Sequence, residues 1–468
     1  MNNQPTSFDV RIWKTDVYEG KTKKTYWVRW RVAAERFKVP FTTRALAESF
    51  RSDLLAAARK GEAFRVSDGM PVSMARQTTD ETSWYEFACW YVDMKWPNAA
   101  ATYRRLIAET LAAVTPVMVK DMSGRPSEKR QRSALNRWAF NVQHREDGKP
   151  EYARDALQWI ERSSLPLSAV MRPDIARALH DSAVSRTDGK PLARSVARQR
   201  RMIVNNALNY AVEQGLISEN PVKAVKWTAP KPSRAIDSRR VANPVQARTL
   251  LRYVAEVQRS GPLLVACLAA MYFAALRPEE ALNLRESNLT LPRPEWNPAK
   301  GEWLYGWGKV YIEEATPHAG SAWTDSRKPR DRRGLKHRER GEGRHVPCPP
   351  ELTAALLQHL DSYGTDADGQ LFRGERGGEV PRITWDRVWK AALKATFTKE
   401  AAATPLAATP YDLRHAAVST WLNGGVPPTT VAEWAGHSVQ VLLEVYAKCL
   451  DGQDHTARQQ VQRALGHT

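Results

Sequence analysis

The sequence predicts a multidomain α+β protein. It places a small three-stranded β-plus-helix module first, a helical middle domain second, and a mainly α C-terminal domain with a β-hairpin or small sheet last. Three observations carry this. Residues 8–41 alternate polar and apolar side chains, as half-buried strands do. From about residue 83 to 221 the apolar residues recur at helical spacing. Between that region and the rest lies KWTAPKPSRAIDSRR (226–240), which is Pro-rich, basic and without periodicity, as a linker is. At 468 residues the chain is too long for one ordinary core, and its 42% hydrophobic content is enough for several. The expected domains are 1–62, 80–225 and 241–468.

FDVRIW (8–13), TYWVRWRV (25–32) and ERFKVPF (35–41) are the three expected strands, with EGKTKK (19–24) as a turn. A helix follows, with Leu46, Phe50, Leu54 and Leu55 on one stripe and Gly61 as its stop. Residues 62–79 read as a connector. Lys14, Arg29, Arg31, Arg36 and Lys38 put positive charge on the sheet; Arg29 and Arg31 share one face by strand alternation. Such a face is either solvated or a surface for a nucleic-acid groove or phosphate.

The middle domain reads as helices at 83–96, 102–119, 132–141, 151–164, 172–184 and 195–214. In the last of these, Val196, Ile203, Val204, Ala207, Leu208 and Ala211 share the core face. Arg194, Arg198, Arg200 and Arg201 form the basic side, of which Arg198 and Arg201 are the candidate contacts to a polyanion. Aromatic and apolar stripes at this spacing are core, and no ligand is assigned to them.

The formal charge of +19 favours a polyanion, either nucleic acid or an acidic membrane surface. The longest apolar run, LLVACLAAMYFAAL (263–276), is too short to span a bilayer, so no membrane partner is expected. The N-terminus is polar and carries no secretory pattern, which points to the cytoplasm. Cys89, Cys267, Cys348 and Cys449 are far apart, with neither zinc-ligand nor disulfide spacing. The seventeen tryptophans read mostly as core anchors.

In the C-terminal domain, Asn243 caps a helix that has Pro244 at its first position. The apolar helix that follows ends at Leu276-Arg277-Pro278, so Arg277 emerges at a break. By itself, Arg277 reads as a structural ion pair with Glu280. GKVYIEEA (308–315) and Arg344–Cys348 are strands joined by a long loop with Lys328, Lys336 and six arginines. A charged loop of that length is unusual without a use. Thr409 caps the next helix, with Pro410 at its first and Asp412 at its third position; Tyr411 and Arg414 share a face. Gly424-Gly425 and Gly436 end two short helices, His437 sits in the second turn, and Tyr446 lies two turns into a third helix. Sharp corners between short helices can bring Arg414, His437 and Tyr446 together.

ALRPEEAL (275–282), YDLRH (411–415), AGHS (435–438) and EVYAK (444–448), in this order, resemble the boxes of the tyrosine recombinase (phage integrase) family. The resemblance is close over about residues 241–448. It implies that domain's catalytic fold, with Arg277 and Arg414 as the two catalytic arginines, His437 as the Gly-His box histidine and Tyr446 as nucleophile. The family lysine lies in the hairpin, where Lys336 fits best and Lys328 is the fallback. The family usually has His where Tyr411 stands; a phenol can donate to a phosphate oxygen there but carries no positive charge. The N-terminal module and helical domain resemble the family's arm-type and core-type DNA-binding domains.

The residue chemistry agrees. A phenol with a pKa near 10 is a poor nucleophile at neutral pH unless its proton is accepted during attack. Two guanidiniums are fixed donors for phosphate oxygens as charge builds there. No metal or other cofactor is called for, and rejoining through a protein–DNA ester needs no ATP. The expected function is a site-specific integrase of a phage or mobile element that cleaves and rejoins DNA through a 3′-phosphotyrosyl link. A chromosome-dimer resolvase of the same chemistry and an inactive DNA-binding regulator are the alternatives. The expected partners are double-stranded attachment-site DNA, further copies forming a homotetramer on it, and accessory bending or excision factors. Val461 and Leu465 in the tail form a short stripe expected to dock on a neighbouring subunit.

Overall fold

The structure is a computed structural model. It describes residues 5–19, 24–72, 82–186, 188–228, 235–335 and 341–446, and in the tail 458–459, 461–462 and 464–465. The chain forms two compact units. One comprises Met1–Lys95, Ala108–Leu192 and Val196–Trp227; the other comprises Trp96–Ile107, Ala193–Ser195 and Thr228–Thr468. The described residues are a mixture of helices and small sheets, as expected. None of the described helices is long and apolar enough to cross a membrane.

In the first unit, the strand Lys24–Val32 is the centre of the N-terminal sheet. Glu35–Phe41 pairs antiparallel along one of its edges. Along the other edge run two short segments, Val10–Ile12 and Asp16–Glu19, so the first strand is broken rather than continuous. The break comes at Trp13, whose N–H still reaches Arg29 O at 3.0 Å. Val28, Trp30 and Val32 point inward and meet Ala47, Leu54 and Ala57 of the helix Arg44–Arg59. Leu46, expected on that stripe, is 55% exposed; the helix is turned so that Ala47 takes the inner position.

The segment expected as a connector also belongs to this core. Phe64 is fully buried, its strand Phe64–Arg65 pairs with Thr6–Ser7, and Trp30 Nε1 donates to Gly69 O at 2.5 Å. Gly69 has φ of +74°, and a Cβ there would lie 2.3 Å from Phe37. Only glycine lets the chain pass this close to the ring while in the left-handed region.

The helices Trp84–Lys95, Glu151–Ser163, Pro173–Val184 and Arg194–Glu213 agree with their expected places, whereas the helix expected at 132–141 starts earlier, as Glu128–Ala134, and widens into a π turn over Leu135–Ala139. Ile203, Val204, Ala207, Leu208 and Ala211 are buried as the periodicity requires. Tryptophan usage is more divided than expected. Trp30, Trp84, Trp96, Trp159, Trp323 and Trp389 are core, whereas Trp90, Trp296, Trp303 and Trp307 are exposed.

The second unit is built on the helix Gly261–Phe273, buried nearly all round against Pro244–Glu256, Pro350–Tyr363 and Tyr411–Asn423. Asn243 and Gln246 form the capping box that starts Pro244–Glu256. A three-stranded antiparallel sheet has Gly308–Ile312 in the middle, flanked by Arg344–Cys348 and Leu289–Thr290. Val310 faces Val346, and Ile312 faces Arg344. By alternation Arg344, Val346 and Cys348 are buried while His345 is exposed. A small unexpected hairpin, Glu295–Asn297 with Glu302–Leu304, sets Trp296 against Trp303.

Candidate active site

The site forms in the second unit where two chain breaks, after Phe273 and at Gly436, meet the helices that carry Arg414 and Tyr446. Helix Gly261–Phe273 ends, Ala275 turns back through φ of +47°, and Arg277 emerges just before Pro278–Ala281. A non-glycine residue in the left-handed region is strained. The strain is held by a contact, since the Ala275 carbonyl accepts a hydrogen bond from Arg414 Nη1. Arg414 stands on Tyr411–Asn423 and is wholly buried. Its Nη2 donates to Ala435 O at 2.5 Å and to His437 Nε2 at 2.8 Å. Arginine has no lone pair to offer, so His437 Nε2 is the acceptor and its ring proton sits on Nδ1.

Glu280 is the charge centre beneath this cluster. Its carboxylate accepts from the Arg277 N–H at 2.9 Å and from Arg277 Nη1 at 2.7 Å. It also takes both ends of the Arg344 guanidinium, at 3.0 and 2.7 Å. The ion pair expected between Arg277 and Glu280 is therefore present, but it does not exhaust Arg277, whose Nη2 also donates to Gly436 O at 2.6 Å. Gly436 ends Pro428–Ala435 in the left-handed region with φ of +66°. A Cβ there would come within 3.2–3.3 Å of the guanidiniums of Arg344 and Arg277. This is where the Gly-His turn needs its glycine.

Two guanidiniums thus bond one carboxylate, and that of Arg414 lies within its electrostatic reach. Burial alone would raise the Glu280 carboxyl, but the charge and hydrogen bonds of Arg344, then Arg277, bring it down to about 2. The Arg414 pKa is lowered, chiefly by burial and then by Arg277. Burial, with Arg414 and Arg277 adding to it, lowers His437 to about 3, so its imidazole is neutral at pH 7. Arg414 Nε and His437 Nδ1 are buried with no hydrogen-bond partner among the described residues. Excess positive charge with unsatisfied buried donors is the signature of an anion site.

Tyr446, at the end of Val439–Tyr446, is fully buried beside this cluster. Its ring lies 6.2 Å from that of His437 and 5.8 Å from that of His415. His415 Nδ1 is 3.0 Å from the Tyr446 hydroxyl. Burial, opposed by Asp412 and assisted by Arg414 and Arg240, lowers His415 to about 4. Tyr411 packs edge-on against His415 at 4.9 Å, within electrostatic reach of Arg277 and Arg414. The buried Asp412 takes the Thr409 N–H at 2.8 Å and both ends of Arg240 at 3.0 and 3.1 Å.

The structure therefore brings together Arg277, Arg414, His437, Tyr446 and Tyr411. Lys336 lies outside the described residues. Lys328 is exposed, and none of the described contacts links its side chain to the cluster. Two residues went unnoticed in the sequence. Arg344 could have been found, because it occupies an inward register of a buried strand, where an unpaired arginine is untenable. His415 carries no such signal; only the packing of the last helix brings it to Tyr446.

In the first unit, Arg29 and Arg31 lie on the outer face of the sheet, paired with Asp16 and Asp9 respectively. Cross-strand register sets Lys38 beside Arg29 and Arg36 beside Arg31. Exposed pairs of this kind are worth less than about 1 kcal/mol, so the arginines can exchange carboxylate for another anion. Arg198 is exposed, whereas Arg201 is half-buried with its guanidinium 5.1 Å above the Trp227 ring.

Glu280→Gln leaves Arg344 buried without its counter-charge. Breaking a buried pair in this way costs about 3–5 kcal/mol, and a large drop in melting temperature is expected. The Glu280 carboxyl is held at about 2 against an ordinary 4.5, so its contribution is complete above pH 4.5 and is lost as pH falls towards 2. Melting curves across that window should decline less steeply for Glu280→Gln than for the wild type.

Among solved structures, a Tn1549 transposon integrase in complex with transposon right end DNA is similar at 16% identity, over 69% of this chain and 96% of that chain, with a TM-score of 0.45. The XerH site-specific recombinase in its pre-cleavage complex with difH matches at 12% identity, over 82% and 96%, with a TM-score of 0.45. A lambda integrase dimer bound to a COC′ core site matches at 12% identity, over 94% and 95%, with a TM-score of 0.48. The structural neighbours are tyrosine recombinases. No protein-family model and no curated protein matches the chain.

Proposed function

We propose that this protein is a site-specific DNA recombinase that cleaves and rejoins strands through a phosphotyrosyl intermediate. The observation that carries the reading is the gathering of Arg277, Arg414 and His437 beside Tyr446, with three guanidiniums against the single carboxylate of Glu280. Such a site takes a phosphodiester. Arg277 and Arg414 hold the non-bridging oxygens, and His437 donates its Nδ1 proton to the phosphate. Tyr446 attacks phosphorus, giving a 3′-phosphotyrosyl ester and a 5′-hydroxyl. Lys336 is the proposed acid for the departing 5′-oxygen, with Lys328 as the alternative. Fixed donors act most strongly where charge develops, and they need no rearrangement when it does. Because the ester retains the bond energy, a second strand can displace Tyr446 without ATP.

The finer reading is an integrase of a phage or other mobile element, acting as a homotetramer on two duplexes. Residues 1–62 are the arm-type DNA reader, 80–225 the core-type DNA-binding domain and 241–468 the catalytic domain. The basic outer face around Arg29, Arg31, Arg36 and Lys38 supports a second DNA contact. A tethered second reader raises the effective concentration and lets one protein bridge two DNA segments.

Incubation with genomic DNA fragments, followed by recovery of covalent adducts, tests the chemistry. Adducts on a recurring site are expected, and their absence on every fragment rejects it. Deleting residues 1–79 should leave adduct formation on the core site intact and abolish binding to flanking repeats. If the truncated protein binds those repeats as well as the full chain does, the two-site reading is wrong.

A further inference from the structure

We infer that His415 is the general base that accepts the Tyr446 proton, an assignment that rests on the recombinase reading above. The phenol must lose its proton as it attacks. His415 Nδ1 lies 3.0 Å from that hydroxyl, within direct transfer distance. The other described groups around the cluster are committed. The His437 Nε2 lone pair is occupied by Arg414 at 2.8 Å, and a neutral imidazole has only one. Glu280 is taken up by Arg277 and Arg344, and Asp412 by Arg240 and Thr409. Tyr411 is itself a phenol. At this corner of the site, then, the tyrosine recombinase histidine expected at position 411 is replaced, and the histidine four residues on stands against the nucleophile.

The step balances within the site. The Tyr446 O–H bond breaks and its proton moves to Nδ1 of His415, whose tautomer before transfer carries hydrogen on Nε2. The Oη–P bond forms, the P–O5′ bond breaks, and the 5′-oxygen takes a proton from the lysine acid. On rejoining, His415 returns its proton to Tyr446. The charged imidazolium faces Asp412, which favours it, and Arg414 and Arg240, which oppose it, with the rings of Tyr411 and Tyr446 in edge-on contact. An imidazole set between these is a temporary acceptor rather than a permanent cation.

The test is single-turnover cleavage by the full-length protein of a nicked duplex carrying the recovered core site, from pH 6 to 8. The wild-type rate should be nearly level, because His415 is neutral throughout. His415→Asn keeps an acceptor near the Nδ1 position but no base. It should bind the duplex normally and cleave on the order of a hundredfold or more slowly at pH 7. Its rate should rise about tenfold per pH unit as hydroxide takes over the proton. Placing a fluorinated tyrosine of lower phenol pKa at 446 should restore much of the loss. A variant that cleaves within about threefold of wild type overturns the assignment. So does a slow variant with the wild-type pH profile and no response to fluorination. Failure of the wild type itself to form an adduct rejects the recombinase reading as well.

Discussion

Tyr446→Phe is expected to form no covalent protein–DNA adduct, while its DNA binding should stay within a few-fold of wild type. The change removes one oxygen from a buried side chain and keeps the ring that packs beside His437 and His415. Among the described contacts, the one lost is the hydrogen bond to His415, worth about 1 kcal/mol, so the fold should survive. What disappears is the proposed nucleophile, and no neighbouring group is expected to substitute: the His437 Nε2 lone pair is held by Arg414, and Tyr411 packs edge-on against His415. Gel electrophoresis under denaturing conditions, with labelled nicked duplex, reads the outcome. A persisting adduct would move the nucleophile to another residue, and mapping the linked peptide would identify it.

The second large effect belongs to the arginines. Arg277→Ala and Arg414→Lys should each lower single-turnover cleavage about a hundred- to a thousandfold, with binding changed far less. Their consequences for the fold should differ. Arg277 retains some solvent exposure, and after its truncation Glu280 keeps both of its bonds to Arg344. Arg414 is wholly buried and ties the Ala275 and Ala435 carbonyls together, so complete truncation would strand both acceptors. Lysine at 414 keeps the charge but cannot satisfy two carbonyls and His437 at once, because it lacks the planar fork. The expected signature is therefore a rate defect with modest destabilisation for Arg277→Ala and a rate defect with a clear loss of melting temperature for Arg414→Lys. If Arg414→Lys melts like the wild type, the two-carbonyl tie carries little energy. If either variant cleaves at the wild-type rate, that arginine is not a transition-state donor.

Local elements and the order of the polar residues were legible in the chain alone. Period-two alternation marked Lys24–Val32 and Glu35–Phe41, caps and prolines marked Pro244–Glu256, and breaks after Leu276 and at Gly436 marked where Arg277 and His437 leave their helices. These are effects of near neighbours in the chain, and near neighbours are what pattern reads. It could not place Leu46 correctly, because a stripe gives the spacing of apolar residues but not which edge of it meets the sheet. It could not see Phe64 in the first core or the broken first strand, since both depend on what lies across from them.

In the candidate active site the same division holds. That Arg277 pairs with Glu280 follows from three residues of spacing on one short turn. That Arg344 shares the carboxylate from 64 residues away does not. Only the folded chain puts Gly436 against two guanidiniums, Arg414 against His437, and His415 against Tyr446. The physical reason is that charge balance and proton transfer depend on separations of about 3 Å between groups, and such distances are set by packing of the whole unit, where chain separation has lost its meaning.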